Sequence, residues 1–190
     1  VLIIDLDPQG NASTGLGVQR RAGQKSTYHV LMGEAALRNV IIDSGIPRVH
    51  CAPSTMDLLG AELELADIER KTNRLADAIA QLCQAADPER SYSYVLVDCP
   101  PSLNLLTINA LSAADAILVP LQCEFFALEG LSQLIKTVER VKTNLNPRLT
   151  IQGVVLTMFD KRNNLSEQVA EDVRSVLGDK VYQTVIPRNV

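Results

Sequence analysis

Three aspartates stand where apolar runs give way to turns, positions at which a carboxylate can meet a cation. In VLIIDLDPQGNASTGLG, Val1 to Gly17, four apolar residues lead into Asp5 and Asp7 and then into a turn rich in Pro, Gly, Asn and Ser. In YVLVDCPPS, Tyr94 to Ser102, a second apolar run ends at Asp98, and Pro100 and Pro101 then withhold the backbone donors that a strand needs. Continuous apolar runs of this kind read as strands buried on both faces of a parallel sheet. In open α/β sheets, ligands gather beyond the carboxyl ends of such strands. A strand continuing through Asp5 and Asp7 would put both side chains on one face, about 7 Å apart. Like charges that close favour a nearby cation or a chain that turns away at Asp7-Pro8. Mg2+ suits the pattern, because it prefers oxygen ligands and needs only one or two carboxylates beside phosphate oxygens and waters. Plainer readings stand beside these. Asp-Pro and Gly-Asn form turns by themselves, and Asp98 could simply cap the turn that follows it.

The elements that must position these acids are legible from composition and periodicity. A chain of 190 residues, 46% hydrophobic and 21% charged, fits one soluble domain, residues 1–190, with a substantial core. No apolar run reaches the ~18 residues that span a bilayer, and no secretory signal is visible. The chain opens in mid-strand without Met, so a signal could have stood upstream. Cys51, Cys83, Cys99 and Cys123 are scattered without a CxxC pair and read as reduced, mostly buried cysteines. A net charge of -4 argues against a strongly basic nucleic-acid binder but leaves room for a local basic patch.

Along the chain, Gln19 to Ser26 reads as an exposed basic loop, followed by short helical pieces broken at Gly33. Short extended pieces follow at Asn39 to Asp43 and Arg48 to Ala52. Ser54 or Thr55 is positioned to cap the next helix. Leu58, Ala61, Leu65, Ile68, Leu75, Ile79 and Leu82 then keep helical spacing across one long segment whose other face is charged. Ala86 to Ser93 is a polar break. Strands are expected at Tyr94 to Val97, Ala116 to Leu121, Thr150 to Met158 and Val181 to Ile186. Helices are expected at Asn104 to Ala114, Leu128 to Leu145 and Ser166 to Leu177, the last stopped by Gly178. Strands alternating with helices imply parallel strands joined by right-handed crossovers, an α/β fold.

At this point the motifs carry a family resemblance. VLIIDLDPQGNASTGLGV resembles the region after the P-loop helix in ParA/Soj-type partitioning ATPases of the MinD/ParA superfamily. YVLVDCPPSLNLLTINAL resembles their Walker B strand and switch II, and ILVPLQCEFFALEGLSQL, GVVLTMFDKR and VIPRNV follow in the same order. The resemblance implies a P-loop NTPase-like three-layer sandwich with a mainly parallel central sheet, and an ATPase using ATP and Mg2+. It implies that Asp7 positions the attacking water, that Asp98 orders Mg2+, and that Asp5 lies near the same metal shell. By the same resemblance, Gln9 and Asn11 belong to switch I, while Pro101 and Asn104 belong to switch II. Met158, Pro187 and Asn189 flank the adenine. Phosphoryl transfer is mainly positioning and charge stabilisation, so these roles are physically coherent.

The family's KGGVGKT-type P-loop is not found, and no GxxxxGK[ST] occurs in these residues. The resemblance therefore implies a fragment missing its P-loop strand and first helix, one that binds ATP poorly alone. It also implies a cytoplasmic, nucleoid-associated protein with no membrane contact, a homodimer when ATP is bound, non-specific DNA binding and a ParB-like centromere-binding partner. Lys136, Arg140 and Lys142, with Arg148 and Lys161-Arg162, are the basic residues that could neutralise DNA phosphates; a solvated helix face explains them equally. Other branches of the superfamily stay open, namely MinD-like cell-division, cellulose-synthesis-associated and nitrogenase-iron-protein-like members. So does a non-enzymatic interaction module without a P-loop.

Overall fold

Backbone pairing in the computed structural model, which describes residues 1–18, 23–85 and 91–189, divides seven strands between two sheets. Two compact units, Val1–Ala113 and Ala114–Val190, hold one sheet each. Parts of two expected segments, the basic loop at 19–22 and the polar break at 86–90, lie outside the described residues.

The first unit runs β1 (Leu2–Asp5), α1 (Asn11–Gly15), α2 (Thr27–Met32), β2 (Ile42–Asp43), β3 (His50–Ala52), α3 (Leu58–Leu65), α4 (Arg74–Gln84), β4 (Val95–Asp98) and α5 (Leu105–Ala113). Its strand order is β2-β3-β1-β4. The central β1 is parallel to both neighbours, and its register against β4 runs from Leu2 opposite Val95 to Asp5 opposite Asp98. The other strand pairs are parallel, in keeping with the expected mainly parallel sheet, while β2 pairs antiparallel with β3. The connection between them is too short for a crossover, so only a hairpin-like return is possible. Leu2, Ile4 and Leu6 are fully buried and join Leu31, Leu58, Leu65, Leu75 and Leu106 in one core. Each buried leucine contributes about 1.5–3 kcal/mol relative to exposure.

The long helix expected from Leu58 to Leu82 is two helices, with a turn over residues 66–73. Arg70 takes a left-handed backbone, φ 56°, and its guanidinium grips Asp77 of α4 at 2.9 and 2.7 Å. Both helices face one core, so the apolar phase survives a break that periodicity cannot register. The expected cap is also corrected. The residue preceding α3 is Asp57, and neither Ser54 nor Thr55 caps the helix with its side chain. Thr55 instead donates its hydroxyl to Asp57 at 2.9 Å, and Ser54 is wholly buried.

The second unit runs β5 (Ala116–Gln122), α6 (Ala127–Asn144), β6 (Thr150–Phe159), α7 (Asn164–Leu177) and β7 (Val181–Pro187), with parallel strands in the order β5-β6-β7. Val154 and Leu156 of β6 pack against Leu131, Val169, Val173 and Val181. Gly153 lets β7 approach: a Cβ there would lie 2.5 Å from the Tyr182 ring and 3.1 Å from the Lys180 carbonyl. Among the described residues, no helix is long and apolar enough to cross a membrane.

Candidate functional site

β1 stops at Asp5, so Asp7 lies beyond the strand rather than on a shared face with Asp5. The chain turns at once: Asp7 Oδ1 accepts from the Gln9 amide at 2.9 Å, and the Asp7 carbonyl accepts from the Gly10 amide at 2.9 Å. Gly10, at φ 65°, precedes α1 in a left-handed conformation that a side chain would resist. Gln9 and Asn11 are exposed on this turn. Asp7 is half-buried, and among the described residues its Oδ2 accepts no hydrogen bond.

Asp5 is wholly buried, and both of its oxygens are taken. Oδ2 accepts from the Ser13 amide at 2.8 Å and the Ser13 hydroxyl at 2.6 Å, while Oδ1 accepts from the Asp7 amide at 3.1 Å. Its carbonyl accepts the Thr27 hydroxyl at 2.9 Å. Ser13, also wholly buried, is a residue that motif reading passed over. The available signal was a run of small hydroxyl residues, Ser13-Thr14, directly after an acid at the end of a buried strand.

Asp98 faces Asp5 across the β1–β4 register, and its carbonyl accepts from the Leu6 amide at 2.8 Å. Its carboxylate lies at the surface and receives no hydrogen bond among the described residues. Packing around the strand end, then the charges of Asp5 and Asp7, push it above the usual carboxylate range. An acid held this way lacks a counter-charge, which a hard divalent cation supplies. Among the described residues, no three His, Cys, Asp or Glu side chains are grouped to enclose a metal. Mg2+ fits such a place when phosphate oxygens and waters complete its shell.

The segment after Asp98 is held by helix capping. Asn104 Oδ1 accepts from the amides of Leu106 and Thr107 at 3.1 and 3.2 Å, and the Thr107 hydroxyl donates to the Ser102 carbonyl at 2.6 Å. Asn104 is therefore the N-cap of α5 in this structure, and Pro101 is exposed just before it. Burial, then Asp98 and Asp7, push the Cys99 thiol up to about 12. Burial likewise pushes Cys51 up to about 11 and raises Cys123, so these three are protonated thiols at neutral pH. Cys83 is exposed, and all four cysteines are free.

The remaining expected residues gather at one end of the second unit's sheet. Met158 takes a left-handed backbone, φ 54°, where the pairing of β6 with β7 shifts register between Leu156 and Phe159. Phe159 pairs with Pro187, and its carbonyl accepts from the Arg188 amide at 3.0 Å. Asn189 follows on the surface. Asp160, directly after β6, is clamped by Arg162 at 3.0 Å through both carboxylate oxygens. The guanidinium holds the Asp160 carboxyl down at about 2.

A family model described as "AAA domain" matches residues 1–151. The chromosome-partitioning protein ParA of Caulobacter vibrioides is 58% identical over 190 residues, all of this chain and 70% of that protein. The sporulation initiation inhibitor protein Soj of Bacillus subtilis is 46% identical over the whole chain and 73% of its own length. Among solved structures, a cobyrinic acid a,c-diamide synthase from Mycobacterium smegmatis, crystallised with an ATP analogue and magnesium, superposes with a TM-score of 0.87. It is 34% identical and covers 99% of this chain and 74% of its own. A plasmid partition protein from Borrelia burgdorferi, TM-score 0.82 at 23% identity, shares the fold over 99% of this chain and 76% of its own. The α/β architecture with a mainly parallel sheet is that of the P-loop NTPases, and the chain belongs to the ParA/Soj family of chromosome-partitioning ATPases.

Proposed function

We propose that the protein hydrolyses ATP with Mg2+ and uses that cycle to segregate DNA. The observation that carries the site is the pairing of Asp5 with Asp98, which sets an uncompensated carboxylate beside the turn bearing Asp7. Asp98 would hold Mg2+, whose charge polarises the phosphate oxygens that complete its shell. Asp7, with Oδ2 unengaged, orients the attacking water. Asp5 contributes charge near the metal and holds the turn. Gln9, Asn11 and Pro101 lie on the two exposed segments that would respond to the terminal phosphate, with Asn104 anchoring the second. Met158, Pro187 and Asn189 flank the adenine.

The reading is tested in the full-length gene product. Asp7→Ala should retain ATP and lose hydrolysis, because it removes water positioning and leaves phosphate binding intact; single-turnover hydrolysis at the wild-type rate would refute the assignment.

The partitioning role rests on the named relatives, and we propose the cytoplasm and the nucleoid as the place where the protein acts. On this reading the ATP-bound protein is a homodimer that binds DNA without sequence preference and is released when a ParB-like partner stimulates hydrolysis. Lys136 and Arg140 are exposed one turn apart on α6, while Lys142 is paired with Glu139 at 3.6 Å. Reversing Lys136 and Arg140 to Glu should weaken DNA binding and flatten its salt dependence. An unchanged slope would take this helix out of the interface.

A further inference from the structure

Orienting a water demands that Asp7 be held still, and the hydrogen bonds trace that task to an uncharged side chain. We infer that Ser13 is a positioning residue for hydrolysis, acting through Asp5; the inference rests on Asp7 being the water-orienting acid.

Asp7 stands outside the β-ladder, so strand pairing does not fix it. Its amide is held by Asp5 Oδ1 at 3.1 Å. That oxygen stays in place only while the carboxylate keeps its rotation, and the rotation is set at the other oxygen. There Ser13 supplies two donors, its amide at 2.8 Å and its hydroxyl at 2.6 Å. Ser13 is anchored in turn, because its hydroxyl oxygen accepts from the Ser54 amide at 3.3 Å. Thr27 secures the strand end by donating its hydroxyl to the Asp5 carbonyl at 2.9 Å, while its own amide donates to the Pro53 carbonyl at 2.9 Å. A relay thus runs from the loop after β3, through Ser13 and Asp5, to the backbone of Asp7. Asp5 and Ser13 are both wholly buried, so water cannot replace either partner without opening the turn.

The Asp5 carboxylate has no cationic partner among the described residues, and neutral donors alone hold its charge. Removing the Ser13 hydroxyl takes away its shortest hydrogen bond. The carboxylate is then free to turn toward the remaining donors, and the Asp7 amide loses its fixed acceptor. Misplacement of a positioned group by about 1 Å can cost a hundredfold in rate.

The test uses the full-length gene product, with single-turnover ATP hydrolysis, nucleotide affinity and thermal denaturation measured on each variant. Ser13→Ala should slow hydrolysis by about tenfold or more while ATP affinity stays within about twofold, and Ser13→Thr, which keeps the hydroxyl, should recover most of the rate. Asp5→Asn, assayed at saturating Mg2+ so that loss of its charge near the metal does not limit the rate, should show the same selective loss. Its amide oxygen can still face Ser13, but that sets its NH2 group against the Asp7 amide; this variant also decides the matter if Ser13→Ala does not fold. Wild-type hydrolysis in Ser13→Ala, a parallel loss of affinity and rate, or failure of Ser13→Thr to recover activity would each overturn the inference. Asp7→Ala separates the two levels. If it abolishes hydrolysis while Ser13→Ala leaves the rate intact, only the Ser13 assignment falls. If Asp7→Ala hydrolyses at the wild-type rate, the assignment of Asp7 falls and the role of Ser13 with it.

Discussion

Asp5 and Asp98 face each other across one rung of a parallel ladder, yet they are held in opposite ways. Asp5 is wholly buried with three donors on its carboxylate; Asp98 lies at the surface with none among the described residues. Burying a charge is costly, and the three donors on Asp5 offset that cost. Asp98, which has no such donors among the described residues, is pushed upward by packing around the strand end and then by the charges of Asp5 and Asp7. On the function proposed above, hydrogen-bond partners more than depth separate the acid that holds the turn from the one that would hold a cation. Asp160, at the end of β6 in the other unit, is a third case: its counter-charge is supplied in sequence, by Arg162.

The largest effect that would break this contrast is on activity. In the full-length gene product, Asp98→Ala should lower Mg2+-dependent turnover by about a hundredfold or more, within the range seen when a key electrostatic group is lost. A Mg2+ titration that keeps its wild-type midpoint and turnover would remove Asp98 from the metal site.

A second pair of substitutions opposes the two acids in stability. Asp5→Ala strands the amides of Ser13 and Asp7 and the Ser13 hydroxyl in the interior, a loss of about 3 kcal/mol. Asp98→Asn should instead raise the melting temperature of the nucleotide-free protein, by no more than about 2 °C given the exposure of the group. The sign follows from linkage. The raised Asp98 carboxyl holds its proton more tightly folded than unfolded, so it favours the native state at low pH and gives up that advantage as pH climbs from 3.8 through its raised value. The benefit of Asp98→Asn should therefore grow over that interval, and denaturation curves at several pH values would show it. A benefit that is flat with pH would mean that charge is not the cause.

The smallest effect belongs to Asp160, and it runs the other way. Arg162 holds that carboxyl at about 2, so its contribution is present above 3.8 and disappears as pH falls toward 2. Asp160→Asn should remove that acid-side component, and added salt should mimic the substitution in part, because Arg162 is exposed while Asp160 is half-buried.

Burial on both faces holds for β1 and not for β4, whose positions alternate between half-buried and exposed, with Leu96 56% exposed. The apolar runs and the acids that end them were nevertheless plain in the sequence. The break between α3 and α4 was not, because Arg70 makes the left-handed turn that glycine usually signals. Asn104 shows another limit. Its place after Asp98 is readable as a motif, but its hydrogen bonds to Leu106 and Thr107 show that it also starts a helix. The contribution of Ser13 was hidden because it depends on a contact eight residues back along the chain, which no local period encodes.

The distribution of the four thiols has a practical consequence. Cys51 and Cys123 are enclosed and Cys99 is held protonated, while Cys83 lies exposed on α4. Of these four thiols, a maleimide dye added to the folded protein should find Cys83 first, which would put an optical reporter on α4. Fluorescence from that position would then report on the surroundings of α4.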